Sequence, residues 1–528
     1  MNRIAPMNQP SPATAEKIDG AVLKVAGVVV LGAIMSILDI TVVNVALPTF
    51  QNVFADGGEQ LAYSTVAWTV TAYTLALAAV IPMSGWAADR FGPKRLYMIA
   101  LFLFTAGSVL CATATSIEML IGFRVLQGLG GGMLMPVGMA IMTRAAGPHR
   151  MGRLMAILGI PMLLGPIGGP ILGGWLIDAV SWHWIFLINA PIGVAALIYA
   201  WVVLPKDHAE PSESFDVIGM ALMAPGLALF LYGVSSIPQK GGLDAPKVWA
   251  TMLAGAILIA AFVFWSFRPQ HPLLDLRLFT NRNLTVAVIT MFLFAMAFFG
   301  GVLLVPTYFQ NIRGEGALDA GLLVAPQGIG AMLTMPIAGF LADKFPVGRI
   351  VPFGVAVIAG GMFALTTIEA DSSYTRLIVI FVILGLGMGF TMMPLMTAAL
   401  RTLRNHEVAR GSTLMNIIQQ VASSVGVAVM SVVLTNGLND TSPAPTPEGD
   451  VPIANLAIGA VRDPERVAQL PPETVQTGLV EAADVFATTF LVAAILLVIT
   501  LVTSFFLRRK REESHLLDDE GLRPVVVH

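Results

Sequence analysis

The chain has 528 residues, of which 56% are hydrophobic and only 12% are charged, with a formal net charge of −3. Soluble domains are about one quarter charged, so this composition excludes a water-soluble fold. The single cysteine, Cys111, lies in an apolar segment, which excludes a disulfide framework and a thiolate metal cluster. We therefore expect an integral membrane protein with no metal site.

Apolar segments recur along the chain, and each is long enough to cross a bilayer core of about 30 Å as a helix. Such segments must satisfy their backbone hydrogen bonds internally, so the predicted fold class is all-α, a polytopic membrane protein. The predicted spans are Val25–Phe50, Ala62–Ser84, Leu96–Thr113, Ile117–Met142, Leu154–Ile177, Trp184–Leu204, Val217–Ser236, Val248–Phe267, Leu284–Phe309, Gly321–Leu341, Ile350–Ile368, Leu377–Leu400, Thr413–Leu434 and Val485–Leu507.

Lysine and arginine are distributed unevenly between alternate loops. With both termini inside, 23 of the 30 lie on the inner side and one, Arg124, lies within a span. Cationic loops remain cytoplasmic, so we predict fourteen spans with cytoplasmic tails at residues 1–24 and 508–528. The longest loop, residues 436–484, is then external.

Two charges lie deep within the spans. Asp39 is near the middle of the first span, and Arg124 is within the fourth. A carboxylate at the centre of a membrane helix costs about 2.5–3.5 kcal/mol on insertion scales, and a nearby cation relieves that cost. We predict that Asp39 binds and releases protons as the protein opens to one side and then the other, and that Arg124 responds. A purely structural ion pair is the alternative.

Similar loops follow the second and tenth spans: GWAADRFGPKR at Gly85–Arg95 and GFLADKFPVGR at Gly339–Arg349. This spacing predicts two six-helix bundles, residues 25–204 and 284–507, with two helices inserted at residues 217–267. Repeats of this kind place a transport site between the halves. We predict that both loops latch the cytoplasmic gate, through Gly85, Asp89, Arg90, Gly92, Lys94 and Arg95 in the first copy and Asp343 and Arg349 in the second. The alternative is that the basic residues only set the topology.

The fifth span combines regularly spaced glycines with prolines. Spacing by four residues places glycines on one face, where another helix can approach closely, and prolines loosen the hydrogen-bond ladder. We predict a bendable packing seam, with ordinary small-residue packing as the alternative. The residues are Gly165, Pro166, Gly169, Pro170, Gly173 and Gly174.

Polar residues within apolar spans are candidates to line a substrate cavity. They are Asn44, Tyr73, Gln127, Asn416 and Gln419. The 27 methionines and 28 phenylalanines favour lipophilic ligands. The sequence has no phosphate-binding loop, metal-ligand cluster or basic and aromatic surface. We therefore expect no enzyme activity, cofactor or nucleic-acid partner.

Five segments carry a family resemblance in chain order. They are LDITVVNVALP (Leu38–Pro48), the Gly85–Arg95 loop, RVLQGLGGG (Arg124–Gly132), GPIGGPILGG (Gly165–Gly174) and SWHWIFLINAPIG (Ser181–Gly193). Together they resemble the major facilitator superfamily, in its fourteen-span drug:proton antiporter branch of EmrB/QacA-like exporters. Pro93, Gly132 and His183 depart from the family pattern. The resemblance implies that the glycine-rich fifth span belongs to exporters that exchange drug for proton.

We therefore predict a proton-coupled antiporter that exports lipophilic drugs or toxic small molecules, compatible with cationic ones, across the cell inner membrane. It is expected to act as a monomer among membrane lipids, driven by the proton gradient. One alternative is an exporter of the same fold dedicated to one endogenous lipid, siderophore or antibiotic. Another is a receptor or scaffold that uses the fold without transport.

Overall fold

The fold is given by a computed structural model. The residues it describes are 20–54, 61, 63–146, 165, 168–169, 171–177, 179–207, 215–237, 245–269, 272–274, 276–401, 403, 408–446, 449–462 and 471–509. Within these ranges the chain is predominantly helical, which confirms the predicted all-α membrane fold. Thirteen helices there are long and apolar enough to cross a membrane. The predicted span Leu154–Ile177 lies mostly outside the described residues.

The helices of the first part of the chain begin and end close to the predicted bounds. They are α1 (Gly20–Val53), α2 (Tyr63–Phe91), α3 (Pro93–Ala112), α4 (Ile117–Ala146), α5 (Trp184–Leu187), α6 (Asn189–Val203), α7 (Val217–Ser236) and α8 (Pro246–Ser266). The short α5 and the longer α6 together form the predicted sixth span. Proline begins α3 and α8, at a position where a helix needs no N–H donor.

A 3₁₀ turn at Leu276–Thr280 leads into the second part of the chain. The helices there are α9 (Arg282–Asn311), α10 (Ala317–Lys344), α11 (Val347–Leu365), α12 (Tyr374–Arg401), α13 (Val408–Asn439), α14 (Ile453–Arg462) and α15 (Pro472–Ser504). Asn281 caps α9, because its side-chain oxygen accepts hydrogen bonds from the N–H groups of Asn283 and Leu284.

The helices pack in two groups. In the first, α4 lies against α1, α2 and α3, and α6 lies against α1 and α3. In the second, α12 lies against α10 and α11, and α15 lies against α9 and α11. The paired helices α7 and α8 lie beside both groups, because α7 contacts α2 of the first group and α13 of the second. The division into two six-helix bundles with two inserted helices stays a prediction.

The predicted external loop at residues 436–484 is partly folded. Strands β1 (Pro443–Thr446) and β2 (Gly449–Pro452) form an antiparallel hairpin, and α14 follows directly. The last long helix begins at Pro472, before the predicted start of that span at Val485. The added turns carry Glu481, whose carboxylate accepts a hydrogen bond from the Ser442 N–H at 3.0 Å. Packing against α14 stabilises this polar extension of α15.

Candidate functional site

The structure brings the two deep charges into contact. Nη1 of Arg124 on α4 lies 2.5 Å from Oδ2 of Asp39 on α1. Asp39 is 2% exposed and Arg124 is 0% exposed, so both charges are closed off from the surface in this conformation. Removing one partner of such a pair costs about 3–5 kcal/mol, because the other charge stays buried without compensation. Their part in proton coupling stays a prediction.

Amide side chains complete the surroundings of the Asp39 carboxylate. Nε2 of Gln127 donates to Oδ1 at 2.7 Å, and Nδ2 of Asn189 approaches the same oxygen at 3.4 Å. Asn189 also donates to the Ser108 hydroxyl at 3.0 Å. Gln127 lies one turn after Arg124 on α4, whereas Asn189 is the first residue of α6. The carboxylate is therefore held by α1, α4 and α6 together.

Besides the Asp39 carboxylate, the guanidinium of Arg124 has three further kinds of partner. Nη1 also donates to Oε1 of Gln127 at 2.8 Å, and Nε donates to the Thr69 carbonyl at 3.0 Å. The Tyr73 ring packs against the guanidinium, with its centroid 4.1 Å from Cζ of Arg124. The Nη2 atom has no hydrogen-bond partner among the described residues. One buried donor of the site is thus open to a further acceptor.

Two residues predicted for the substrate cavity lie in this network instead. Tyr73 and Gln127 are both fully buried, and the Tyr73 hydroxyl lies 3.1 Å from the Ser36 hydroxyl. Asn44 is exposed on α1, and Asn416 and Gln419 are half-buried on α13. The five residues thus differ in burial, and a shared substrate cavity stays a prediction.

The glycines of the fifth span lie against α1, next to Asp39. A Cβ atom at Gly165 would lie 2.0 Å from Cγ2 of Ile37, and one at Gly169 would lie 1.9 Å from Oγ1 of Thr41. Thr41 donates a hydrogen bond to the Gly165 carbonyl at 3.0 Å. This close approach is available only without side chains.

The two remaining glycines of the fifth span differ, because Gly173 lies in the contact with α1 and Gly174 faces open space. A Cβ at Gly173 would lie 3.1 Å from Cγ1 of Val42, whereas one at Gly174 would meet nothing within 4 Å. Pro166 and Pro170 lie outside the described residues. The seam with α1 is therefore formed by the glycines at every fourth position.

The loop Gly85–Arg95 is fastened to the end of α6. Both oxygens of Asp207 accept backbone hydrogen bonds, from the N–H groups of Lys94 and Arg95 at 2.9 Å each. Gly92 has a φ of 89°, and a Cβ there would lie 2.2 Å from Cγ of Asp207. Only glycine fits this turn, and Asp207 caps the start of α3.

Lys94 adds a second attachment. Its Nζ donates to the Trp201 and Leu204 carbonyls at 2.7 and 2.6 Å, where a cation suits the carboxyl end of a helix. Asp89 is half-buried and Arg90 is exposed. A Cβ at Gly85 would lie 3.6 Å from Oγ1 of Thr413 on α13, so the carboxyl-terminal part of α2 meets the second helix group.

The second loop copy repeats one of these contacts. Gly348 occupies the place of Lys94, and its N–H donates to the Arg508 carbonyl at 3.2 Å, just beyond the end of α15. Arg349 is exposed. The side chain of Asp343 lies outside the described residues. Each loop copy is thus joined to the chain that follows the last span of its own group.

The interpretation of the sequence missed three residues: Asn189, Thr69 and Asp207. Asn189 stands inside the segment Ser181–Gly193, so a polar side chain at the start of a span was a usable signal. Thr69 contributes a backbone carbonyl, which no sequence pattern reveals. Asp207 lies just beyond the sixth span, where carboxylates are common in solvated loops.

Comparisons with known proteins agree with the family resemblance. The profile of the Major Facilitator Superfamily matches residues 29–427. The Multidrug resistance protein B homolog of Mycobacterium tuberculosis (strain ATCC 25618 / H37Rv) is 46% identical over 483 residues, which cover 90% of this chain and 88% of that protein. The Multidrug export protein EmrB of Escherichia coli (strain K12) is 30% identical over 422 residues, covering 79% of this chain and 81% of EmrB.

Solved structures share the fold at low identity. The human organic anion transporter MFSD10 (TETRAN) aligns with a TM-score of 0.59 and 13% identity, over 91% of this chain and 100% of that chain. The POT family transporter PepTSo gives a TM-score of 0.58 and 14% identity, over 93% of this chain and 99% of that chain. The profile match, the relatives and the shared fold show that the chain belongs to the Major Facilitator Superfamily, fits its multidrug exporter branch, and is a membrane transporter of small molecules and not an enzyme.

Proposed function

We propose that this transporter is a proton-coupled antiporter that exports lipophilic compounds, lipophilic cations among them, from the cytoplasm. The names of its relatives, a multidrug resistance protein B homolog and EmrB, support drugs as the substrate class. The distribution of loop cations supports a position in the cell inner membrane with both termini cytoplasmic. The transporter works as a monomer, and the proton gradient supplies the energy without a cofactor.

The buried pair of Asp39 and Arg124 is the observation that carries this proposal. The carboxylate is 2% exposed and is balanced by one guanidinium. A proton on Asp39 removes the negative partner of Arg124 and leaves a cation in an apolar core, which strongly disfavours that arrangement. Proton binding therefore changes the relative free energies of conformations, as coupling requires.

Helix α1 can transmit the effect of protonating Asp39 to the fifth span. It carries Asp39 among the polar partners, and it lies against the glycines of the fifth span through Ile37 and Thr41. A contact between a helix and glycine backbone has no interlocking side chains on one side, so small displacements of α1 cost little there. Loss of the ion pair can then move α1 against this seam.

Transport in proteoliposomes tests the proposal. With a pH gradient imposed across the membrane and a pH-sensitive dye enclosed, addition of tetraphenylphosphonium is expected to accelerate decay of the gradient. Asp39→Asn keeps the size of the side chain but cannot exchange a proton, so it is expected to abolish the response.

The matched control is Asp319→Asn, which neutralises an exposed acid at the start of α10 and is expected to leave the response unchanged. An Asp39→Asn protein that still moves the cation uphill, with unchanged dependence on pH, contradicts proton coupling through this residue.

A further inference from the structure

A groove of about 500 Å³ opens between α3 and α6, beside the loop Gly85–Arg95. Its wall is apolar and includes Met98 and Phe102 from α3 and Leu197 and Trp201 from α6. Phe102 is 60% exposed and Trp201 is 68% exposed. Because both helices are membrane spans, the exposed side chains in the wall of this groove contact lipid chains. Tryptophan is enriched where lipid chains meet head groups.

The rim of the groove carries more positive than negative charge. Lys94 and Arg95 lie there with Asp207. Both Asp207 oxygens accept backbone N–H groups, and Nζ of Lys94 donates to two carbonyls at the end of α6. The Arg95 side chain is exposed and forms no ion pair within the described part of the chain. Arg95 is therefore the cation available to a ligand.

We propose that this groove binds a phospholipid with an anionic head group, from the leaflet on the side of the loop Gly85–Arg95. Arg95 donates hydrogen bonds to the phosphate, because a guanidinium matches the geometry of phosphate oxygens. One acyl chain lies along Phe102 and Trp201. Basic pockets between membrane helices on the cytoplasmic side suit such head groups. The assignment to the inner leaflet rests on the proposed orientation of the transporter.

Fluorescence quenching of Trp201 tests the site in the full chain. The protein is reconstituted in phosphatidylcholine vesicles that contain a minor share of acyl-brominated phosphatidylglycerol, phosphatidylethanolamine or phosphatidylcholine. The Trp201 signal is the difference between each protein and the same protein carrying Trp201→Phe. Brominated phosphatidylglycerol is expected to quench this signal at about fivefold lower content than either other lipid, since one basic residue near a membrane contributes attraction of that order.

Three variants assign the preference to Arg95. Arg95→Gln is expected to remove it, whereas Arg95→Lys keeps the charge and retains most of it. Arg282→Gln removes another exposed cation, at the start of α9, and is expected to leave the preference unchanged. Equal quenching by the three lipids, stronger quenching by phosphatidylethanolamine, or an undiminished preference in Arg95→Gln overturns the proposal.

Discussion

The charges of Asp39 and Arg124 depend on each other, because neither can turn to bulk water when its partner is lost. Both are buried, and the remaining polar contacts of the carboxylate come from the neutral amides of Gln127 and Asn189. Neutral amides cannot replace a lost charge. The site therefore favours two states, one with the pair ionised and one in which the helices have rearranged around a protonated acid.

A double-mutant cycle measures this dependence. Arg124→Gln is expected to lower stability by about 3–5 kcal/mol, because Asp39 is left charged and unpaired. Asp39→Asn together with Arg124→Gln is expected to cost much less than the sum of the two single changes. Thermal unfolding of the purified proteins in detergent reports the effect. Additive losses contradict a direct coupling between the two residues.

The sequence was sufficient to identify Asp39 and Arg124 as buried charges. It was insufficient to identify the residues that contact them. A charge within an apolar span is visible in any sequence, and the two opposite charges occur at similar depth. The roles of Tyr73 and Gln127 depend on which way α2 and α4 turn within the bundle. Helical periodicity does not determine that direction in a span whose neighbours on every side are apolar.

At the level of helices, the seam between α1 and the fifth span is a close contact beside the site. Gly165 and Gly169 admit α1 because a Cβ at either position would overlap with Ile37 or Thr41. The seam therefore places two backbones in near contact a few residues from Asp39. A side chain that separates them changes the position of the acid relative to Arg124.

Gly169→Ala tests the seam. The new Cβ would lie 1.9 Å from Oγ1 of Thr41, so α1 must move, at a cost of about 1–3 kcal/mol. We expect a lower melting temperature and slower transport of tetraphenylphosphonium. Gly174→Ala is the control, because its Cβ enters open space. Equal behaviour of the two variants contradicts a role for the close approach.

Most span bounds follow from hydropathy, and the exceptions have a physical cause. Val217–Ser236 was predicted at the observed limits, because its ends coincide with the ends of the apolar segment. The start of α15 was missed because Glu473 and Glu481 lower the hydropathy of its first turns. Those turns extend beyond the apolar part of the span and are stabilised by packing with α14, which a hydropathy window does not detect.

For the whole molecule, the decisive contact is the one between α2 and α13, which belong to different helix groups. Gly85 in the carboxyl-terminal part of α2 faces Thr413 near the start of α13, and Ile81 and Ile417 share an apolar cluster with α7 and α8. This contact joins the two helix groups on the side of the molecule that carries the loop Gly85–Arg95. Alternating access requires that it open during the cycle.

A cross-link between these helices is expected to stop transport. Gly85→Cys and Thr413→Cys, combined with Cys111→Ser, place two thiols within the reach of a disulfide. Mild oxidation is expected to abolish exchange in proteoliposomes, and reduction is expected to restore it. Each single-cysteine protein serves as the control. A fully cross-linked protein that transports at the rate of the reduced one shows that this contact need not open.

In the proposed antiport, Asp39 gives up a proton when substrate binds. Proton release by the purified transporter, in weak buffer with a pH-sensitive dye, measures this directly on addition of saturating tetraphenylphosphonium. Mutual displacement of two ligands is reciprocal, so we expect the protonated population of the unmodified protein to release its protons. We expect none from Asp39→Asn at equal occupancy by the cation. The same proton release from both proteins contradicts proton exchange at Asp39.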